Sequence, residues 1–369
     1  MKILKRIMII TLLVIGVLTL AVYFFLQTAV FGKRPEGARL ERIKKSPNYI
    51  DGVFQYPENT PLMTKEASYL KMIQLQFVKD EAREPIVPLP SVKTDLKKPP
   101  VSNFVITWFG HSSYLIQLNG KNILVDPVFG KAASPVEFIG AKRFPGTEIY
   151  TLEDMPPLDV VIFSHDHYDH LDYEVVSKLN SSAAKLYMPL GVGAHLESWG
   201  IDTGKITELD WWEKVEIAPG FVLTSTPARH FSGRGLTDRG KTLWTSYVLQ
   251  TDSAKLYIGG DSGYGPHFKE IGEKYGPFDI TILECGQYHP YWPLIHMTPE
   301  ETVQAHLDLK GNVLFPVHWG KFALAFHPWR EPIERLLAEA TKKSVNVTTP
   351  LIGEQILPGS NLPESKWWR

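Results

Sequence analysis

The segment that begins at residue 165 carries an unusual density of side chains that bind metals. Three histidines and two aspartates fall within six residues. They are His165, Asp166, His167, Asp169 and His170. Imidazole nitrogens and carboxylate oxygens are the ligands that zinc and similar divalent ions prefer. Because an apolar run, 160–163, comes directly before them, the pattern predicts a strand that ends in a metal-binding loop.

Further candidate ligands follow other segments that are rich in β-forming residues. His230 follows the run 221–226, Asp261 follows 255–258, and His318 follows 312–316. His111 stands at the turn after another such run, 104–108. A single histidine at a strand end is more often structural. Together, these strand ends would bring at least five histidines and two aspartates to one face of a sheet. Such a cluster predicts a site that binds two metal ions and activates water.

The elements that must position these residues alternate between strands and helices. Asn119-Gly120 separates two β-rich runs and predicts a hairpin. Predicted strands are 104–108, 114–118, 122–125, 160–163, 221–226, 245–250, 255–258, 279–283 and 312–316. Predicted helices are 173–179, 267–275, 299–307 and 332–341. This order predicts a layered α/β fold.

Composition excludes several classes of protein. Lys and Arg number 39 against 40 Asp and Glu, a formal charge of −1, which argues against a nucleic-acid binder. A single cysteine, Cys285, excludes an internal disulfide framework and a cysteine-rich metal site. A hydrophobic fraction of 44% excludes bulk disorder.

The N-terminal segment predicts a membrane anchor. Residues 7–31 form a run of 25 without a charge, and a spanning helix needs about 20. A cleaved secretory signal is the alternative, but the end of the run lacks a convincing cleavage site. We therefore expect residues 1–31 to be a single-pass anchor or signal anchor. The six basic residues that follow the run favour a cytoplasmic location for the C-terminal domain. The short basic segment before the run favours export of that domain, and this is the orientation toward which we lean.

Residues 32–102 carry nine prolines and predict an irregular linker and extension before a hydrolase domain at 103–369.

In that domain the pattern HxHxDH, followed by His230, Asp261 and His318, resembles the metallo-β-lactamase superfamily. The resemblance narrows to the branch of phospholipase D that hydrolyses N-acylphosphatidylethanolamine. The segments that carry it are SPNY (46–49), TWFGH (107–111), DPVF (126–129), GAKRF (140–144), ELDWWE (208–213), GDSGY (260–264), GPFD (276–279) and HWGKFAL (318–324).

The resemblance implies an αββα sandwich that binds two divalent ions, for which zinc is expected although iron or manganese would also fit. One ion would be held by His165, His167 and His230. The second would be held by Asp169, His170 and His318, and Asp261 would bridge the two. The resemblance also implies a homodimer and places His296 near the substrate phosphate, so Asp169, Asp261 and His296 are the expected catalytic residues.

Three further residues are candidates for contact with substrate. Tyr168 and Tyr288 would line the phosphate site, although buried aromatic residues more often serve packing. Arg234 would pair with a phosphate oxygen, or else be an exposed arginine without a role. Glu284 departs from the animal enzyme and either alters the charge of the pocket or is an internal structural carboxylate.

The expected reaction is hydrolysis of an N-acylphosphatidylethanolamine-type phospholipid to phosphatidic acid and an N-acylethanolamine. The alternative within the superfamily is a sugar-phosphate lactonase that resembles L-ascorbate-6-phosphate lactonase. A metal-binding or lipid-binding protein without activity is disfavoured, since it needs no complete set of seven ligands. The membrane anchor would hold the site near a lipid substrate.

Overall fold

The computed structural model describes residues 2–78, 82–138, 140–360 and 362–369 of the chain. The helices are α1 (Lys2–Leu26), α2 (Gly37–Ile43), α3 (Tyr69–Phe77), α4 (Tyr173–Lys178), α5 (Gly193–Ser198), α6 (His267–Tyr275), α7 (Pro299–Asp308) and α8 (Glu331–Lys343). The strands are β1 (Tyr49–Ile50), β2 (Val53–Phe54), β3 (Phe104–Trp108), β4 (Tyr114–Leu118), β5 (Lys121–Val125), β6 (Val160–Ile162), β7 (Lys185–Pro189), β8 (Ile206–Leu209), β9 (Lys214–Ala218), β10 (Phe221–Thr226), β11 (Ser246–Gln250), β12 (Lys255–Ile258), β13 (Phe278–Glu284), β14 (Gly311–Val317) and β15 (Gln355–Ile356).

Two large mixed sheets form the body. The first has the strand order β15-β3-β4-β5-β6-β7-β8, and the second has the order β14-β13-β12-β11-β10-β9. In the first sheet β3, β4 and β5 are antiparallel, and β5 to β8 are parallel. In the second sheet β9 to β12 are antiparallel, and β12 to β14 are parallel. The loops that follow β6, β10, β12 and β14 carry the predicted ligands.

Alternation along the strands builds the layers. On β4, Tyr114 and Ile116 belong to the core between the two sheets, whereas Leu115 packs in a second core with Val176 of α4 and Leu196 of α5. Successive strand residues point to opposite faces, so one strand serves both cores. On the outer side of the second sheet, α7 contacts β13, β14 and α8. The result is the predicted αββα sandwich, and the layered fold expected from the sequence is confirmed.

The predicted strands match the structure to within one residue at either end, and the predicted helices to within two. In the two large sheets the prediction missed β7, β8, β9 and β15, and elsewhere it missed the short elements β1, β2, α2 and α5. Both β8 and β9 are edge strands, and Lys214 and Glu216 of β9 are exposed, so the apolar signal there is weak. β7 ends in Pro189, a residue that argues against a strand when only the sequence is read.

Helix α1 has the properties of a membrane-spanning segment. It has 25 residues, a mean hydropathy of 2.7, and no residue buried against the rest of the protein. Its length and composition would allow it to cross a bilayer, and a signal sequence near the N-terminus would share these properties.

The chain just after α1 is bound to the body by three backbone contacts, which we call the anchor junction (residues 29–33). The Trp199 indole donates to the carbonyl of Ala29 at 2.6 Å. Arg234 donates from Nε and Nη2 to the carbonyl of Val30 at 3.1 and 2.9 Å. The backbone N–H of Lys33 donates to His195 Nδ1 at 3.0 Å. These contacts fix the exit of α1 relative to the sandwich.

The extension also packs on the body. Ile43, Phe54 and Tyr56 are buried in a small core with Trp211 and Trp244. The proposed division at residues 31 and 102 stays a prediction, while the segment between them forms part of the wall of the candidate site.

Candidate metal centre

The structure brings all seven predicted ligands together at one end of the sandwich. Each ligand lies in a loop that leaves the carboxyl end of a strand, after β6, β10, β12 or β14. Ligand atoms lie within 4.8 Å of one another inside each of two groups, one of His165, His167 and His230, the other of His111, Asp169, His170 and His318. Asp261 groups with His165 and His170 within the same limit.

The first group presents three nitrogens to one point. His167 Nδ1 lies 2.9 Å from His165 Nε2 and 3.2 Å from His230 Nε2. His230 Nδ1 lies 2.8 Å from the Ile295 carbonyl, which can only accept, so Nδ1 carries the hydrogen and Nε2 has a free lone pair. Burial lowers the pKa of His165 and His230 well below the usual value, which keeps both imidazoles neutral. Neutral nitrogens that converge in this way suit a cation.

In the second group, His170 faces the carboxylate of Asp169 and also that of Asp261, which lies between the two groups. His170 Nδ1 is held by Asp126 at 2.8 Å, and its Nε2 faces Asp261 Oδ2 at 3.2 Å and Asp169 Oδ2 at 3.5 Å. Burial alone would lower the pKa of His170, but Asp261 and then Asp169 raise it well above the usual value. The carboxylates therefore draw positive charge to this position, as a metal site requires.

Asp261 lies between the two groups. Its Oδ2 is 3.2 Å from His170 Nε2, 3.8 Å from His230 Nε2 and 3.9 Å from His165 Nε2. Burial would raise the pKa of Asp261, yet the neighbouring histidines, His170 foremost, hold it well below the usual value. The carboxylate is therefore ionised and lies within reach of the nitrogens of both groups.

Unpaired buried atoms support a fit to divalent ions. Among the described residues, seven buried side-chain polar atoms lack a hydrogen-bond partner, and four of them lie in this cluster. They are His111 Nδ1, His170 Nε2, Asp261 Oδ1 and His318 Nε2. Buried polar groups are rarely left unpaired, so their concentration here indicates a ligand that completes them. The donor set therefore fits a divalent metal site.

The backbone around the cluster is strained. His111, Asp126 and His318 have φ angles of 54°, 39° and 65°, in the left-handed region. Such residues cost on the order of 1–3 kcal/mol each and persist where the surroundings fix them. His111 Nε2 contacts Asp169 Oδ2 at 2.8 Å, so the strained turn supports a predicted ligand.

His296 and Glu284 form a buried pair beside the cluster. Glu284 accepts from the backbone N–H groups of Ser262 and Met297 at 3.0 and 3.1 Å, and its Oε2 lies 2.7 Å from His296 Nδ1. Burial raises the pKa of Glu284 to about 7. Burial would lower the pKa of His296, but Glu284 raises it to about 9. Glu284 is therefore an internal structural carboxylate. It also affects the site, because it orients His296 beside the metal cluster.

A cavity of about 330 Å³ opens onto these residues. His167, Asp169, His230, Asp261, His296 and His318 form its polar floor. Its walls include Leu62, Met63, Trp292 and Leu324, and Arg239 stands among the lining residues. Apolar walls above a polar floor are typical of sites for ligands with hydrocarbon parts.

Two of the predicted substrate contacts lie outside this lining because their polar groups bind the protein itself. Arg234 is buried, and its Nη1 donates to the carbonyls of Asp166 and Leu171 at 2.7 and 2.8 Å. Its guanidinium lies 4.1 Å from the centre of the Tyr168 ring, and the Tyr168 hydroxyl donates to the Arg234 carbonyl at 2.6 Å. We therefore propose that both residues brace the metal loop against the anchor junction.

Tyr288, the third predicted contact, is also absent from the lining. Its hydroxyl donates to Glu331 Oε1 at 2.7 Å and accepts from Arg335 at 3.1 Å. These partners belong to α8, and the ring stacks on His327 at 4.5 Å. The position indicates a packing role for Tyr288.

Sequence reasoning did not assign roles to Asp126 or Arg239. Asp126 accepts from the Ser164 backbone N–H at 2.8 Å and from its hydroxyl at 2.6 Å, besides holding His170. The only available signal was its position directly after a predicted strand, within the DPVF segment. A carboxylate that orients a ligand histidine is a common support of metal sites.

Replacing Asp126 by asparagine is expected to weaken metal binding about 10- to 100-fold, since the Asn amide cannot hold His170 in one tautomer as a carboxylate does. Competition with a chelator during metal titration measures the change. Asp159→Asn is the matched control, because Asp159 binds Lys121 at the other end of β6. An Asp126→Asn protein with wild-type affinity would remove this support from the site.

Comparisons with known proteins cover most of the chain, including the metal cluster. The sequence profile described as "Beta-lactamase superfamily domain" matches residues 121–319. An uncharacterized protein of Mycobacterium tuberculosis is 41% identical over 331 residues, which cover 88% of each chain. The N-acyl-phosphatidylethanolamine-hydrolyzing phospholipase D 1 of Caenorhabditis elegans is 33% identical, over 69% of this chain and 75% of its own. A metallo hydrolase from Ignicoccus hospitalis has a similar structure, with a TM-score of 0.52 at 22% identity, over 69% of this chain and 97% of its own.

Proposed function

Since the chain belongs to the metallo-β-lactamase superfamily, in its N-acylphosphatidylethanolamine-hydrolysing phospholipase D-like branch, we propose that this metal-dependent hydrolase is a phospholipase D-type phosphodiesterase. Its substrates are phospholipids of the N-acylphosphatidylethanolamine type. Its products are phosphatidic acid and an N-acylethanolamine.

One observation carries the proposal. Five of the seven predicted ligands, with Asp261 between their two groups, form the floor of a cavity whose walls are largely apolar. A phosphodiester lipid presents a compact anion attached to hydrocarbon chains, and the cavity offers a counterpart to each part. The relative from Caenorhabditis elegans carries the same activity in its name.

The ligands divide between two ions in this proposal. His165, His167 and His230 would hold one ion. Asp169, His170 and His318 would hold the other, and Asp261 would serve both. Zinc is the preferred ion because the donor set combines imidazole with carboxylate, a mixture common in hydrolytic zinc sites.

Divalent ions at this position would supply activated water and neutralise the charge that develops on the phosphate oxygens. The protein's own residues then orient the diester and manage the proton. Water adds to phosphorus, the bond from phosphorus to the head-group oxygen breaks, and that oxygen takes a proton. His296 lines the cavity with Nδ1 held by Glu284, so its free edge is available to deliver that proton.

We further propose that α1 is retained as a membrane anchor. The anchor junction supplies partners to Trp199, Arg234 and His195, all of which are buried. Cutting the chain after residue 31 would remove the carbonyls of Ala29 and Val30 from two of them. Buried groups that lose their partners destabilise a protein by about 1–3 kcal/mol each, so the fold favours an intact segment.

Deleting residues 1–26 while keeping the anchor junction is expected to separate two substrate classes. Hydrolysis of a short soluble diester should stay within about twofold of wild type, because no residue of α1 is buried. Hydrolysis of the same head group in vesicles should fall by at least about tenfold, since the anchor no longer concentrates the enzyme at the lipid. Equal rates on vesicles for both proteins would contradict the anchoring role.

The function itself is tested by a substrate profile of the metal-loaded, full-length enzyme. N-acylphosphatidylethanolamine and a phosphorylated sugar lactone are compared at equal concentration. Release of phosphatidic acid, followed by mass spectrometry, is the expected result. Turnover of the lactone with no cleavage of any diester would replace the proposal with the lactonase alternative.

A further inference from the structure

A second cavity meets the first beside the metal cluster. It has a volume of about 230 Å³ and lies between the extension and the loop after β10. Both cavities share Leu62, His230, Phe231 and Arg239 in their linings. The shared wall is therefore a branch point, and it contains a predicted metal ligand, His230.

Most basic side chains near this branch point already have partners. Arg229 and Arg234 donate to backbone carbonyls, and Lys241 Nζ donates to the carbonyl of Gly52 at 2.7 Å. Arg239 differs from them, because it is exposed and makes no side-chain hydrogen bond or ion pair within the part of the chain that the structure describes. It is the cation of this loop that is free to bind a ligand.

The acidic groups nearby do not neutralise it. Asp238, the preceding residue, accepts from the backbone N–H groups of Arg234 and Gly235 at 3.1 and 2.8 Å. Glu58, which lines the second cavity, lies 3.9 Å from Arg229. The positive charge of Arg239 therefore lines the branch point without an ion-pair partner among the residues that the structure describes.

We propose that Arg239 recognises the anionic phosphoryl group of the substrate, and that the two cavities receive the two substituents of a phosphodiester. This inference rests on the proposed function and deepens it. The phosphorus of a diester lies where its substituents diverge, and the guanidinium fork matches the geometry of phosphate oxygens. Apolar side chains line both cavities, Trp292 and Leu324 in the first and Phe54 and Trp244 in the second, which suits hydrocarbon on either side.

Binding of dibutyl phosphate to the full-length, metal-loaded protein tests this role by titration calorimetry. Arg239→Gln should raise the Kd about tenfold, the effect of losing one charge-assisted hydrogen bond at a solvated position. Arg239→Lys should recover part of the affinity, because the charge returns without the fork. Raising the salt concentration should weaken binding to wild type more than to Arg239→Gln. Lys269→Gln, which removes one exposed charge on α6, is the matched control and should leave the Kd unchanged.

Two outcomes would overturn the inference. One is a Kd for Arg239→Gln that equals wild type. The other is loss of bound metal in that variant, which would show that the arginine supports the structure of the site. Failure of the proposed function has a separate signature, namely a wild-type enzyme that cleaves lactones and no diester. Binding of dibutyl phosphate would still decide the role of Arg239 in that case.

Discussion

Asp261→Ala is expected to empty most of both metal positions and to reduce turnover by more than about 10²-fold. The reason is its place between the groups, with Oδ2 within 3.9 Å of a nitrogen in each. Loss of a residue that only orients a metal ligand lowers metal affinity or activity by up to about 10²-fold. Loss of a ligand shared by both positions should therefore lower activity by more than that. No other predicted ligand contacts both groups in this way among the described residues.

Elemental analysis of the purified protein measures this effect, with wild type expected to hold about two ions per chain. Asp261→Asn keeps the side-chain volume and separates loss of charge from loss of packing. Asp279→Ala is the control, because Asp279 lies at the start of β13 and accepts from the Lys255 backbone N–H at 2.7 Å. A variant of Asp261 that folds and still binds two ions would sink the bridging model.

His296→Asn should lower turnover about 10²- to 10⁴-fold while leaving the metal content unchanged. Asparagine can still donate to Glu284 Oε2, so the buried carboxylate keeps a partner and the fold is retained. The loss follows from the missing proton donor, since His296 is not needed to complete either ligand group. His306→Asn is a control for a buried histidine, because His306 Nδ1 pairs with Thr281 Oγ1 on the outer layer.

The leaving group distinguishes the two roles that His296 can have. A nitrophenolate leaves without protonation, so a proton donor contributes little to its departure. A smaller loss on a nitrophenyl diester than on a lipid therefore supports acid catalysis. An equal loss on both indicates phosphate binding, and unchanged turnover on both would remove His296 from the site.

The positions of the ligands could be predicted because their signal is local. The strand β6 (Val160–Ile162) is followed directly by the loop that contains His165, and His318 directly follows β14. Strand direction then places such residues at one edge of a sheet. β7 pairs in parallel with β6 and β8, which lie beyond the helices α4 and α5 in the chain, and short apolar patterns do not encode such pairing. β9 forms a local hairpin with β10, and it was missed because Lys214 and Glu216 are exposed.

The contacts with substrate could not be read in the same way. Arg234 and Arg239 lie five positions apart in one loop, and either could have faced the cavity. Only the fold shows that the guanidinium of Arg234 donates to the carbonyls of Val30 and of Asp166 in the metal loop. The guanidinium of Arg239 makes no such bond among the described residues. Asp126 likewise acts on Ser164 and His170, about 40 residues further along the chain.

The anchor junction also bears on how such an enzyme would meet its substrate. Between the end of α1 at Leu26 and the first bound carbonyl at Ala29 stand only two residues, which span roughly 7 Å when extended. If α1 spans a bilayer as proposed, so short a connection would keep the catalytic domain at the membrane surface. Encounter with substrate would then be a two-dimensional search, governed by the mole fraction of substrate in the lipid plane. Diluting the substrate with inert lipid would slow the enzyme even when the total amount of substrate is constant.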